Sequence, residues 1–421
     1  MDFNTINGVS FRLIPETRFK TAGITLTLAC PLTSEGASPN ALLPYMLVRS
    51  CRKYPDFSAL KKKLALLYGA KLSADVISLG DAQLLRISVY SIDDRYTMNG
   101  EAVSVECVKL LADILTDPAF VGGVFSEADL EAEKRQLCEQ IDAQTNDKVA
   151  YAKRRCIDLM CAGQPFGINP LGDKASINAI TAEQLTETWK TALSSYPISL
   201  TAVGAMDGDM VFTAFSDALS SAGRTPAALP AQSVSPRHDN VREFTEREDV
   251  TQSKLLIGFT TPINGCEHDI SAMRLFNACF GGTPHSRLFA NVREKMSLCY
   301  YCSSSYYRNK GILLVGSGLE SENIEKAKTE IIAQLSDIQS GGLTDSEIEN
   351  AKLSLRNSFL RTKDSVSATE GWYTAQMFDR DCISVEEACR RIDAVTKEDV
   401  TQAARSLDLD TVYLLTGKEE Q

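Results

Sequence analysis

The stretch FGGTPHSRLFANVREKMSLCYY, residues 280–301, decides the fold of this chain. Two glycines form a turn, a helical run follows, and a strand is predicted to begin at the tyrosines. Arg293 lies seven residues before Tyr300, where the helix gives way to the strand.

Histidine is nearly absent from the chain. The three histidines are His238, His268 and His285, so the first 237 residues contain none. Histidine is the commonest side-chain ligand of metal ions in proteins. A histidine-based metal site in the first half is therefore excluded.

Composition and charge limit the function classes further. The 421 residues are 44% hydrophobic and 24% charged, which is typical of a globular protein with two to four domains. The net charge of −11 argues against nucleic acid or an anionic membrane as a partner. Residues 1–7, MDFNTIN, lack a basic and an apolar region, so no secretory signal is predicted there.

The 12 cysteines are scattered singly through apolar patterns, as at Cys107, Cys138 and Cys279. This usage is typical of small buried side chains in a reducing compartment, so we predict a cytoplasmic protein. Cys299 and Cys302 fall in a predicted strand, where side chains three residues apart face opposite ways. We therefore expect no redox or metal-binding role for this pair.

An internal repeat predicts the architecture. INAITAEQL at 177–185 resembles IDAVTKEDV at 392–400, and SEADLEAEK at 126–134 resembles TDSEIENAK at 344–352. The offsets, 215 and 218 residues, are nearly equal, and each segment places a hydroxyl residue where it caps a helix. We predict an α+β fold of two homologous domains, each an antiparallel-rich sheet packed with helices.

The domain boundaries follow from composition. Residues 221–240, SAGRTPAALPAQSVSPRHDN, are rich in Ala, Pro and Ser and lack an apolar period. This is linker composition. It predicts an N-terminal domain over 1–220 and a C-terminal domain over 241–421.

The chain resembles the pitrilysin/insulinase-type metallopeptidases, the family that contains mitochondrial processing peptidase. The resemblance starts with NGVSFRLIPETRFKTAGITLTLACPL at 7–32, continues through PFGINPLGDKASINAIT at 165–181 and ends with the stretch at 280–301. It covers nearly the whole chain. The last segment is the most specific, because it combines the glycine loop, the Ser-Arg-Leu-Phe helix and the Arg-x6-Tyr element.

The family's zinc motif is His-x-x-Glu-His on a helix, followed downstream by a third ligand, a Glu. The matching run here is ALLPYML at 41–47. Ala41 and Tyr45 replace the histidines, and Pro44 replaces the general-base Glu. Downstream, in EKRQLCEQI at 133–141, Gln140 or its neighbour Glu139 falls at the third-ligand position, and Glu133 at another acidic position. We predict no metal and no cofactor on this chain.

Pro44 predicts a further disturbance of the run that matches the zinc motif. Pro44 has no N–H and is tolerated in the first turn of a helix, whereas in the interior it costs about 3 kcal/mol. We therefore expect the helix to begin near Pro44, which would displace the ligand positions even if histidines were restored.

The resemblance also implies a role for Arg293 and Tyr300. In the family this pair comes from the second domain, faces the zinc across a chamber and binds the substrate main chain. In members built of two subunits, one carries the zinc and the other supplies the pair. Whether Tyr300 or Tyr301 faces the substrate stays open at this point, because successive strand residues point to opposite faces.

These observations predict the non-catalytic, substrate-binding subunit of a heterodimeric zinc peptidase that processes peptides or unfolded polypeptide. The expected partner is a homologous cytoplasmic chain that carries zinc. The alternative is a peptide-binding or scaffold protein of the same fold with no proteolytic role. A homodimer of the isolated chain is compatible with either.

Overall fold

The computed structural model describes residues 4–6 and 8–417. Most of the segment 1–7, where no signal was predicted, lies outside the described residues, as does the first residue of the segment 7–32. The strands are β1 Asn4–Ile6, β2 Val9–Pro15, β3 Thr21–Pro31, β4 Lys71–Leu79, β5 Ala82–Ile92, β6 Ile198–Gly204, β7 Arg242–Glu248, β8 Ser253–Thr260, β9 Tyr301–Tyr307, β10 Ile312–Leu319 and β11 Asp408–Gly417.

The helices are α1 Ser34–Leu47, α2 Phe57–Leu66, α3 Val103–Thr116, α4 Glu127–Asn146, α5 Lys148–Met160, α6 Lys174–Ala179, α7 Ala182–Ser195, α8 Gly208–Leu219, α9 Ser271–Asn277, α10 Ile324–Gln339, α11 Asp345–Arg361, α12 Val366–Thr374, α13 Val385–Ala394 and α14 Lys397–Arg405. Two π-helical segments, Ala278–Gly282 and Leu288–Lys295, follow α9. Across the described ranges, no helix is both long and apolar enough to cross a membrane.

The described strands form two sheets with the same topology. The first sheet has the order β1-β2-β6-β3-β5-β4 and the second β7-β11-β8-β10-β9. In each, the first strand of the repeat pairs in parallel with the last (β2 with β6, β7 with β11), and the other pairs are antiparallel. Only β1 lacks a counterpart in the second sheet, so the prediction of two homologous α+β domains is confirmed.

The helix starts that revealed the repeat are real capping sites. Thr181, Thr344 and Thr396 each accept a hydrogen bond from the backbone N–H three residues later, and the residue there bonds back to the threonine N–H. This reciprocal arrangement satisfies two N–H groups that would otherwise lack partners. At the fourth site the Ser126 hydroxyl accepts a weaker bond from the Asp129 N–H, at 3.4 Å.

The chain forms two compact units that are not continuous in sequence. One unit comprises the described residues up to Asp142, Ile168–Ala231 and Asp364–Trp372; the other comprises Ala143–Gly167, Gln232–Lys363 and the described residues from Tyr373 onward. The segment 364–372 thus belongs with the first sheet, and α5 with the second.

Side-chain packing explains both assignments. In the second unit, Cys156 and Met160 of α5 are fully buried in one cluster with Leu256 and Tyr413 of the sheet. In the first unit, Glu370 of α12 is buried and its carboxylate lies 2.5 Å from the Arg86 guanidinium of β5. Each sheet therefore contacts a segment that is distant from most of its strands in sequence.

Candidate functional site

Helix α1 carries the positions that match the zinc motif. It begins at Ser34, where the Thr33 hydroxyl accepts a hydrogen bond from the Gly36 N–H at 3.0 Å. The expectation that this helix begins near Pro44 is therefore wrong, because Pro44 lies in its last turn. The burial of Pro44 and of the apolar residues around it offsets the cost of a proline inside a helix.

Ala41 and Tyr45 lie one helical turn apart on the same face of α1. Ala41 is fully buried. The Tyr45 hydroxyl donates to Oε1 of Gln140 on α4, at 3.4 Å. The hydrogen bond of Tyr45 is thus to Gln140 rather than to its neighbour Glu139.

The phenol of Tyr45 is held in its neutral form. Burial of the ring, with the carboxylates of Asp75 and Glu133 nearby, raises the pKa of Tyr45 above its ordinary value. A neutral phenol donates a hydrogen bond and is a poor metal ligand. At the second histidine position of the zinc motif, the chain therefore has a hydrogen-bond donor in place of a metal ligand.

The acidic position beside this pair is neutralised by a cation. Glu133 is buried, and its Oε1 lies 2.6 Å from Nη1 of Arg49, just past the end of α1. Oδ1 of Asp129 lies 2.8 Å from Nη2 of the same guanidinium. Arg49 was missed in the sequence, although Ala41, Tyr45 and Arg49 follow one another at four-residue spacing.

The residues at these positions do not fit a zinc ion. Ala41, Pro44, Tyr45 and Gln140 are neutral, and Arg49 brings a positive charge that a divalent cation would repel. Zinc sites need thiolate, imidazole or carboxylate ligands. Across residues 4–6 and 8–417, no group of three or more His, Cys, Asp or Glu side chains is arranged to hold a metal ion.

Arg293 lies in the π-helical segment Leu288–Lys295, where an α-helix was predicted. The Met296 N–H bonds to the Asn291 carbonyl, five residues back, at 3.0 Å. The side chain of Arg293 is 40% exposed; its guanidinium carbon lies 4.6 Å from the centre of the Phe289 ring, and its Nε 3.5 Å from Oε1 of Glu294. These are loose surface contacts.

Tyr300 immediately precedes β9 and is 54% exposed. Its hydroxyl donates to Oε1 of Glu320 at 2.6 Å, and this bond to a carboxylate raises the pKa of Tyr300. The phenol therefore stays protonated at neutral pH. Arg293 and Tyr300 lie on one segment, and each contacts its own acidic residue.

The two neighbouring tyrosines differ in environment. The Tyr301 ring packs over Gly318, where an added Cβ would lie 2.4 Å from its Cε1. Burial raises the pKa of Tyr301 to about 12. Of the two phenols, Tyr300 is the one open to solvent.

The geometry assumed for Cys299 and Cys302 is wrong. β9 begins at Tyr301, so Cys299 lies before the strand and the alternation of strand faces does not separate the pair. A hydrogen bond from the Cys302 thiol, with the positive charge of Arg293 also contributing, lowers the pKa of Cys299 to about 7. No disulfide joins any cysteines of the described residues.

Comparison with known proteins places this geometry in a family. Residues 179–355 match the family model described as the peptidase M16 inactive domain. A conserved protein from Enterococcus faecalis, of known structure, superimposes with a TM-score of 0.87 at 28% identity, covering 98% of this chain and 97% of that one. An M16 inactive-domain structure from Pseudomonas fluorescens shares the fold, with a TM-score of 0.78 at 18% identity over 100% of this chain and 98% of that one.

The probable inactive metalloprotease YmfF of Bacillus subtilis is 32% identical over 412 residues, which cover 98% of this chain and 96% of YmfF. The chain therefore belongs to the M16 peptidase family, the pitrilysin/insulinase-type metallopeptidases that the sequence resembles. It lacks that family's His-x-x-Glu-His motif.

Proposed function

We propose that this chain is the non-catalytic, substrate-binding subunit of a zinc peptidase made of two different chains. The partner is a homologous M16 chain that carries the zinc, and the substrate is a peptide or an unfolded polypeptide. As an M16 member without the zinc motif, the chain is not itself a zinc peptidase. The description of YmfF as a probable inactive metalloprotease agrees with this.

The contrast between two regions carries the proposal. At the zinc-motif positions, neutral side chains and the Arg49–Glu133 pair stand where ligands are needed. In the segment 293–300, by contrast, the Arg-x6-Tyr pair is present, and both side chains are exposed. A chain that keeps the substrate-binding pair without a metal site fits the accessory role.

The chemistry of the pair suits the main chain of a peptide. Arg293 is always charged, and exposed ion pairs such as that with Glu294 contribute only about 0–1 kcal/mol, so its guanidinium can exchange Glu294 for a substrate carbonyl. The Tyr300 phenol, protonated and oriented by Glu320, donates a second hydrogen bond. Donors placed toward an oxygen that gains charge stabilise the transition state of peptide hydrolysis. Zinc on the partner would supply the activated water.

The first experiment identifies the partner. The tagged chain is purified from its own cells and analysed by native mass spectrometry together with metal analysis. We expect a 1:1 complex with a zinc-bearing chain of similar mass. A metal-free homo-oligomer without such a chain would contradict the heterodimer and favour the scaffold alternative.

The second experiment tests Arg293 in that complex. The variant Arg293→Ala is expected to lower peptide turnover by about 10²-fold, the usual order for loss of one oxyanion donor, without dissociating the complex. The matched control is Lys295→Ala. Lys295 is also exposed and lies two residues after Arg293, so this variant removes a positive charge from the same segment without touching Arg293. Equal turnover by wild type and Arg293→Ala would eliminate the role of Arg293.

A further inference from the structure

The second unit contains a cavity away from the segment 293–300. It has a volume of about 400 Å³ and lies among α9, the C-terminal end of β9 and α11. Arg274 and Arg308 line it, together with Asn277 and the apolar surfaces of Tyr307, Leu355 and Phe359. Small-molecule sites in proteins commonly have volumes of about 300–1,000 Å³.

One of the guanidiniums at this cavity has an N–H group without a hydrogen-bond partner among the described residues. Nη1 of Arg308 lies 3.5 Å from Oδ2 of Asp379, a long contact for an ion pair, and Asp379 also acts on Arg274. Nη2 of Arg308 is buried and has no hydrogen-bond partner among the described residues. Arg308 thus keeps an N–H donor that Asp379 does not satisfy.

Two further carboxylates nearby pair with Arg391, and one of them, Asp269, also attracts Arg274. Asp269 and Asp381 lie 3.2 Å and 3.1 Å from Nη1 of Arg391. Burial, followed by repulsion from Arg308, lowers the pKa of Arg274 to about 10, so Arg274 is still protonated at neutral pH. Burying like charges is costly unless an anion compensates them.

An apolar surface lies beside the positive charge. The guanidinium carbon of Arg274 is 5.7 Å from the centre of the Phe359 ring. Leu355 and Phe359 lie one turn apart on α11, so they share a face of that helix. The cavity therefore combines an anion-binding end with an apolar lining.

We propose that this cavity binds a carboxylate attached to an apolar or aromatic group. Arg274 and Arg308 hold the carboxylate through charge-assisted hydrogen bonds, and Tyr307, Leu355 and Phe359 contact the apolar group. Two sources share this chemistry: a free aromatic or aliphatic acid, and the C-terminal residue of a peptide. The site does not depend on the partner subunit or on Arg293.

The first test uses the wild-type chain and isothermal titration calorimetry with four probes. These are phenylacetate, its uncharged analogue phenylacetamide, an acetylated tripeptide ending in Phe with a free carboxylate, and the same peptide as its C-terminal amide. We expect at least one carboxylate to bind and both amides to bind at least about tenfold more weakly. Tighter binding of phenylacetate assigns the free acid, and tighter binding of the peptide assigns the C-terminus. Equal binding of acids and amides, or no binding of either acid at millimolar concentration, would overturn the proposal.

The second test uses variants of the full chain. Arg274→Gln is expected to weaken binding of the better carboxylate by about tenfold or more. Arg356→Gln removes a positive charge from the exposed face of α11, where Arg356 pairs with Asp393 at 3.3 Å, and is expected to bind like wild type. Unchanged affinity in a folded Arg274→Gln variant would overturn the assignment. If that variant does not fold, the comparison of acids with amides on the wild type still decides.

Discussion

The Tyr45 hydroxyl donates a hydrogen bond to Oε1 of Gln140 across 3.4 Å, so a residue at a histidine position of the zinc motif binds one of the two candidates for the third-ligand position. The contact joins α1 to α4 where a metal would otherwise link them. It also places α1 and α4 within side-chain reach of each other at this point. Because α1 is continuous through positions 41 and 45, the absence of zinc ligands there lies in the side chains.

This geometry predicts that a zinc site can be restored. Positions 41 and 45 lie on one face of an uninterrupted helix, with position 140 opposite. The variant A41H/P44E/Y45H/Q140E is therefore expected to bind one equivalent of zinc, and the wild type none, as measured by metal analysis of the purified proteins. Because Ala41 is fully buried, the variant is also expected to be less stable without metal.

A matched variant decides whether residue 139 or residue 140 occupies the third-ligand position of the zinc site. A41H/P44E/Y45H keeps Gln140 and relies on the natural Glu139. We expect it to bind zinc at least about tenfold more weakly than the variant with Q140E. Equal affinity would mean that Glu139, and not position 140, supplies the ligand.

Removing Arg49 is expected to destabilise the first unit. Arg49→Met leaves the carboxylate of Glu133 buried without its cation, which costs about 3 kcal/mol of unfolding free energy. Arg52→Met removes an exposed pair with Asp117 and should cost no more than about 1 kcal/mol. Chemical denaturation measures both. The double variant Arg49→Met/Glu133→Gln should recover much of the loss, and if it does not, the pairing is not the cause.

Replacement by alanine is expected to have opposite effects on stability at two glycines. A Cβ at Gly281 would lie 2.7 Å from the Ser304 backbone nitrogen and 2.8 Å from Cδ1 of Leu288. Gly281→Ala is therefore expected to cost about 1–3 kcal/mol of unfolding free energy. Gly371, inside α12, has no neighbour within 4 Å of an added Cβ, and Gly371→Ala should stabilise by about 0.5–1 kcal/mol. Shifts of the melting temperature in the same direction for the two variants, measured by thermal denaturation, would contradict this.

Cys299 is expected to be reactive at neutral pH. The thiolate is the nucleophile, and the pKa of Cys299 is lowered to about 7, against about 8.5 for an ordinary cysteine. Its alkylation rate should therefore rise as pH increases, with its midpoint near pH 7, as followed by mass spectrometry of the peptide containing residue 299. Cys302→Ala removes the hydrogen bond and should move the midpoint to higher pH. A midpoint that stays in place would show that Cys302 does not set this pKa.

Much of the fold could be predicted from the sequence. The capping boxes at Thr181 and Thr396 are local patterns formed within four residues. They begin the helices α7 and α14, which precede the corresponding strands β6 and β11. β8 is likewise visible as a short, largely apolar run, and the helix Ile324–Gln339 as a helical spacing of apolar residues. Local hydrogen bonding and burial determine these elements, so a single sequence reveals them.

Other features depend on contacts between distant residues. Pro44 was expected to begin a helix, but tertiary burial keeps it inside α1. The pairing of Arg49 with Glu133, 84 residues apart, leaves no local pattern. The π-helical turns around Arg293 differ from an α-helix by a single hydrogen-bond register, which residue periodicity over eight positions cannot distinguish.

The two units exchange segments of chain, and this bears on how the protein can be cut. A protease that cleaves within residues 221–240 leaves one fragment containing Ala143–Gly167, which is built into the second unit, and another containing Asp364–Trp372, which is built into the first. Each fragment thus holds a piece that the other needs to complete its core. A nicked molecule would therefore keep its two pieces together as a non-covalent pair, whereas either piece expressed alone would lack part of its own packing.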